Sequence, residues 1–390
     1  MSRFDEERSH PQRSRDPRST PLSPAHLALI RACVADERDV PAAVDEWVAL
    51  VDLDDLDHPA LELTGFVYRR MVSLGLDHVA RTSLAASYRR TWHRNQVLLF
   101  RARPLLARIG ELTGRTVVLK GGAMVSSAYH DDLGVRPLMD LDVLVERRFV
   151  EPVVTWALEH GWHVLDGLDA KDIYIVHHAI DLAYGDEGAV DLHWALLVQG
   201  RNPSRDRALL ASSRSARLGD VPIHVLPPTA QLFHTAAHVS PVGIRHVVDA
   251  ISIIVRHGGE IDWSELVDEA IGRRSIAYAV RTFDLVEQAR PGIIPPAALG
   301  RLSHAPRHWS DYCFHAEETP SRREVARRFA AEVAGRSRGA GPINKILVAR
   351  AMGRRYRQNA GLSSRELWSG FLTRGGAGLN QDSQRTRRSG

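Results

Sequence analysis

The sequence predicts an α+β fold: a mixed sheet over residues 113–227, flanked by helices and set between helical regions at 24–112 and 228–373. Three observations carry that reading. Apolar residues recur three or four positions apart up to about residue 110 and again beyond 227, the period of an amphipathic helix. The short β-branched runs "RTVVLK" (115–120) and "DLDVLV" (140–145) interrupt that period. "IYIVHHAIDLAY" and "AVDLHWALL" then flank Gly-Asp-Glu-Gly (185–188), turn residues between the arms of a hairpin.

In chain order, residues 1–23 are polar, charged and proline-rich, which predicts a disordered leader. "AHLALIRACVA", "AAVDEWVALV", "LELTGFVYRRMVSLG" and the long "LAASYRRTWHRNQVLLFRARPLLARIGEL" supply the first helices. "RTVVLK" is a strand that meets Gly121 and Gly122 at once, and "GGAMVSSAYH" continues as a helix. After the "DLDVLV" strand come a helix in "VEPVVTWALEHG", ending at Gly161, and a short strand in "WHVLD". Helices return with "PTAQLFHTAAHV", "RHVVDAISIIVRHG" and "DWSELVDEAIGRR". Residues 374–390 predict a disordered basic tail.

Composition sets limits on function. A chain of 390 residues with 44% hydrophobic and 25% charged residues can bury a large core as an ordinary globular protein. It contains no uncharged apolar run of 18 residues and no signal-peptide core, so a membrane partner is not expected. Cys33 and Cys313 lack the spacing of a thiolate metal site and suit a reducing, cytoplasmic location. Eleven Arg and Lys residues between Ser321 and Gln358 read as a solvated helix face or as a surface for an acidic partner such as RNA.

Candidate chemistry sits on the sheet. Asp140 and Asp142 are two apart, so in a strand both carboxylates project from one face. Side by side they repel each other unless a cation intervenes, and hard oxygen ligands suit Mg²⁺ or Mn²⁺. Neutralising either one is expected to relieve that repulsion and raise stability without metal. Asp191 and His193 repeat the spacing on a neighbouring strand, and Asp191 completes a metal site of the kind that holds attacking and leaving oxygens. Asp181 competes as the third ligand, and His193 is either a participant or a core histidine. Lys120 is one of only three lysines among 51 basic residues. It precedes Gly121 and Gly122, where a strand-to-helix turn leaves backbone N–H groups for phosphate. Arg136 either binds phosphate or makes a structural salt bridge.

Strand–Lys120-Gly121-Gly122–helix, then Arg136-Pro137-x-x-Asp140-x-Asp142, then Asp191-Leu192-His193-Trp194, resembles a bacterial nucleotidyltransferase family of the DNA polymerase β-like superfamily. The likeness runs from about residue 95 to 275, through His238, Arg245, Asp249, Asp262 and Trp263. It implies the superfamily's mixed sheet flanked by helices, and transfer of a nucleoside monophosphate from an NTP, such as ATP, with pyrophosphate leaving. Asp140 and Asp142 match its metal-binding pair, Asp191 its third carboxylate, and Gly121-Gly122 its phosphate-proximal turn. Gly122 stands where the superfamily usually has serine, and 17 residues separate it from Asp140, a longer gap than usual. The acceptor implied is a protein, a tRNA or a small molecule. Two alternatives use the same residues: a non-catalytic RNA- or peptide-binding protein, and a kinase-like phosphotransferase.

Overall fold

The computed structural model describes residues 22–165, 177–185, 188–198, 201–237 and 243–306, together with 333, 348, 349 and 352. The expected leader (apart from Leu22 and Ser23), most of the basic segment, the tail, His238 and Cys313 lie outside the described residues.

The first helices form where the sequence supplies both an apolar stripe and a start signal. Ser23 caps α1 (Pro24–Val34), its hydroxyl accepting from His26 N at 3.1 Å, and Pro24 occupies the first turn, where its missing N–H costs nothing. α2 (Val40–Leu50), α3 (His58–Leu61) and α4 (Thr64–Ser73) follow. α5 (Arg81–Thr113) runs 33 residues, about 50 Å at the usual helical rise, and stops at Gly114 in the left-handed conformation, φ 80°. Its buried face carries Leu98, Leu99, Ala102, Leu105, Leu106 and Ile109, and it packs on the sheet.

Seven strands make one mixed sheet. β1 (Val117–Val118), β2 (Leu141–Leu144), β3 (His163–Val164), β4 (Ala179–Tyr184), β5 (Gly188–His193), β6 (Arg214–Leu218) and β7 (Val221–Val225) lie in the order β3-β4-β5-β2-β1-β7-β6. β2 pairs in parallel with β5, and β1 with β7, while the other pairings are antiparallel. The central strands are buried throughout. α6 (Lys120–Ser127), α7 (Arg147–Glu159) and α8 (Pro203–Ser212) are interleaved with them. The β4–β5 hairpin expected around Gly185 is present, and Gly185 takes φ 60°. A second hairpin, β6–β7, turns at Gly219 with φ 59° and sets β7 beside β1, one strand in from the β6 edge.

The C-terminal helices are α9 (Pro228–Ala237), α10 (Ile244–His257), α11 (Trp263–Arg273), α12 (Ile276–Ala289) and α13 (Pro296–His304). α9 packs against α10, α11, α12 and α6, and α1 packs against α10 and α12, so the early and late helices share one hydrophobic core. Asp262 of the family-like "IDWSEL" stretch caps α11, accepting from Glu265 N at 2.9 Å, which gives that motif a structural role.

Candidate active site

Strand register builds the centre of the site. Asp142 on β2 and Asp191 on β5 are direct neighbours across the parallel pair, so their side chains share a face, and His193 follows two residues after Asp191 on that face. His193 is fully buried, and its Nε2 lies 3.0 Å from Asp142 Oδ1 and 2.8 Å from Asp191 Oδ2. One ligand atom from each of these three residues lies within 4.8 Å of the others. Two carboxylate oxygens and an imidazole nitrogen fit a divalent cation, and both carboxylates can reach a single ion. Asp181 is the register partner of Asp191 on β4 and lies outside that group of atoms.

Asp140 precedes β2 rather than lying in it, and also stands outside the close group. Its charge still reaches the site. Burial, then the neighbouring charge of Asp142, pushes its carboxyl up to about 6. Burial acts the same way on Asp142, but the hydrogen bond from His193 and the Lys120 ammonium overcome it and hold Asp142 well below the usual carboxylate range. Burial opposes a charge on His193, while Asp191 and Asp142 more than compensate, raising it to about 9. Without metal, Asp142 is therefore paired with the Lys120 ammonium, and the His193 imidazole lies between Asp142 and Asp191.

Lys120 enters through a strained backbone. Leu119 N donates to the Asp142 carbonyl at 2.9 Å, fastening the end of β1 to β2, and Lys120 then opens α6 with φ 45°. Its ammonium forms an ion pair with Asp142 Oδ1. Burial works against that charge, and the carboxylates of Asp142, Asp191 and Asp140 outweigh it, raising the lysine above its ordinary value. Gly121 and Gly122 lie in the first turn of α6 rather than in a turn before it, and neither has positive φ. Close packing explains the two glycines. A Cβ on Gly121 would overlap the Arg136 guanidinium and come within 2.7 Å of Leu138 Cδ2, and one on Gly122 would come within 2.6 Å of Val118 Cγ1.

Arg136 makes the structural salt bridge. It is buried and holds Asp249 of α10 in a forked contact, Nε–Oδ1 at 3.1 Å and Nη2–Oδ2 at 2.8 Å. Burial opposes its charge, but Asp249 raises the guanidinium above its ordinary value. Asp249 also accepts from the Tyr129 hydroxyl at 2.5 Å. Arg136 nevertheless lines the same cleft as Lys120, Gly121, Asp140 and Asp142, a space of about 250 Å³ closed on the other side by His234 and Thr235 of α9 and by Arg245 and His246 of α10.

Two features of the cleft stand outside the sequence motifs. Asn95, buried on α5, donates through Nδ2 to the carbonyls of Leu133 and Arg136 at 2.8 and 2.7 Å and accepts from Leu138 N at 3.0 Å. It thereby fixes the segment that brings Arg136 and Asp140 to the cleft; a lone asparagine amid apolar helix positions was the available signal. His234 and His246 are buried beside the cations of the cleft, and the burial, above all, pushes them down to about 3 and about 4.

A helix-flanked mixed sheet with carboxylates converging from its central strands defines a nucleotidyltransferase-type α+β fold. Residues 60–283 match the model of a family described as uncharacterised nucleotidyltransferase, more than half of the chain. The chain belongs to that family. Neither curated proteins nor solved structures give a match.

Proposed function

We propose that the protein is a divalent-metal-dependent nucleotidyltransferase that moves a nucleoside monophosphate from an NTP to an acceptor hydroxyl. The observation that carries the reading is the convergence of Asp142, Asp191 and His193 beside Lys120 and the start of α6. Asp142 and Asp191 would hold the metal with His193 beside them, and Asp140 would serve from the edge of the cleft. A bound Mg²⁺ or Mn²⁺ would offset phosphate charge and favour departure of pyrophosphate. The backbone N–H groups at the start of α6 and the Lys120 ammonium would hold the phosphates, with Gly121 keeping their approach narrow. Asp249 fixes Arg136 at the cleft wall as a further positive charge. In the transfer itself, the acceptor oxygen bonds to the α-phosphorus, and the bond from that phosphorus to the bridging oxygen of the β-phosphate breaks. The hydroxyl proton passes to a carboxylate, for which we propose Asp191.

The contacts of Lys120 and His193 favour one alternative, a binding protein that keeps the fold without catalysis, because Asp142 and Asp191 already have partners within the protein. Incubation with NTP labelled separately on the α- and γ-phosphates, host extract, and Mg²⁺ or Mn²⁺ separates the readings. Nucleotidyl transfer attaches the α-label to an acceptor. Attachment of the γ-label alone identifies a phosphotransferase, and no metal-dependent labelling leaves the binding reading.

A further inference from the structure

Behind one wall of the cleft lies a second cavity of about 750 Å³, between the end of α1, α4, the segment 128–135 and α10. Phe66, Tyr129 and Val135 give it an apolar and aromatic side. Arg69, Arg70, Arg256 and Arg290 also line it, against Asp36, Glu37 and Asp132. Two of the guanidiniums are committed: Arg69 Nε lies 2.8 Å from Asp132, and Arg290 Nη2 lies 2.7 Å from Asp36. Arg70 donates to the carbonyl of Ala35 at 2.5 Å rather than to a carboxylate, and its buried Nε has no hydrogen-bond partner among the described residues. Arg256, exposed near the end of α10, has no ion pair among the described residues.

The lining is also strained. His130 and the adjoining Asp131 both have left-handed backbones, φ 56° and 58°, without being glycine. Such strain persists where the surroundings enforce it, and it clusters at ligand sites. The wall shared with the cleft is a chain of three residues. Tyr129 lines the larger cavity, its hydroxyl bonds Asp249, and Asp249 grips Arg136 of the cleft.

We infer that this cavity is a second binding site, for a small organic anion with an aromatic or apolar body. The anionic group meets Arg70 and Arg256, and the body lies against Phe66, Tyr129 and Val135. Because the Tyr129–Asp249–Arg136 wall stands between this site and Asp142, its occupant is not the reacting acceptor. The inference therefore goes beyond the transfer reading and does not depend on it.

The probe is 8-anilinonaphthalene-1-sulfonate, an aromatic body bearing one anionic group, titrated into the full-length protein and followed by fluorescence. One saturable site is expected, unaffected by saturating NTP with Mg²⁺. Arg256→Glu, an exposed position, should weaken it about tenfold or more, the scale of losing one charge-assisted contact. Ser252→Phe, which fills the space beside Tyr129, should abolish it. Circular dichroism and melting curves check that each variant is folded. Non-saturable fluorescence, displacement by NTP, or unchanged affinity in folded Arg256→Glu would overturn the inference.

Discussion

Asp142 and Asp191 face each other across the parallel strands β2 and β5, and the buried imidazole of His193 bridges them. This relationship reverses one expectation from the sequence. Asp142 is not a repelled acid awaiting relief, because Lys120 and His193 already stabilise its charge.

Asp142→Asn should therefore destabilise the metal-free protein by about 3 kcal/mol, the scale of removing one partner from a buried ion pair. Asp140→Asn should act oppositely, because burial and Asp142 already oppose its charge. A gain of about 1 kcal/mol is expected there. Denaturant unfolding of both variants at neutral pH in chelator measures the contrast. Equal losses of stability would show that Asp140 is held as firmly as Asp142.

Lys120→Arg should raise the apparent KM for NTP about tenfold, and Lys120→Ala should raise it further. On the proposed reading, the larger planar guanidinium would crowd the approach of phosphate to Gly121, beside the position from which the ammonium pairs with Asp142. Steady-state kinetics at varied NTP decide this. Wild-type kinetics for Lys120→Arg would mean that charge alone suffices.

Gly121→Ala should cost about 1–3 kcal/mol and weaken nucleotide binding together, since overpacking here strikes Arg136 directly. Calorimetric titration with a non-hydrolysable NTP analogue, alongside unfolding, measures both effects. A loss of stability without loss of affinity would confine Arg136 to a structural role.

Stability should fall as the pH drops from 6.5 towards 4, partly through His246. Its native form is pushed down to about 4 by burial, with Arg245, Arg136 and Lys120 opposing a proton and Asp249 favouring it. The unfolded chain takes up that proton near pH 6.5 while the native state does not, so the contribution is intact above 6.5 and lost as pH falls. His246→Gln should flatten the slope over that window, as read from unfolding free energies at several pH values. An unaltered slope would assign the dependence to other groups, His234 first among them.

Much of the fold is legible from local patterns. The β4–β5 hairpin announces itself by the turn residues at 185–188, and the Asp191-x-His193 spacing places both side chains on one face of a strand, whereas the same spacing at Asp140-x-Asp142 misleads because β2 begins at Leu141. What is not legible depends on contacts distant in sequence. Only the β2–β5 register makes His193, rather than Asp140, the close partner of Asp142 and Asp191. The Arg136–Asp249 pair joins residues 113 positions apart, and nothing near either one announces the other. Gly121 and Gly122 suggest a flexible turn by composition, yet they are required by side chains that reach α6 from elsewhere. The left-handed conformation falls instead on Lys120, a residue type that carries no such signal.

On the proposed reading the Asp142–Asp191 pair supports nucleotidyl transfer, and α-phosphate labelling of the acceptor fraction reads that transfer. Purified wild type should transfer the label only with Mg²⁺ or Mn²⁺, and folded Asp142→Asn and Asp191→Asn should each lose about a hundredfold or more of that rate. Labelling by either folded variant at the wild-type rate would exclude the Asp142–Asp191 pair from the transfer.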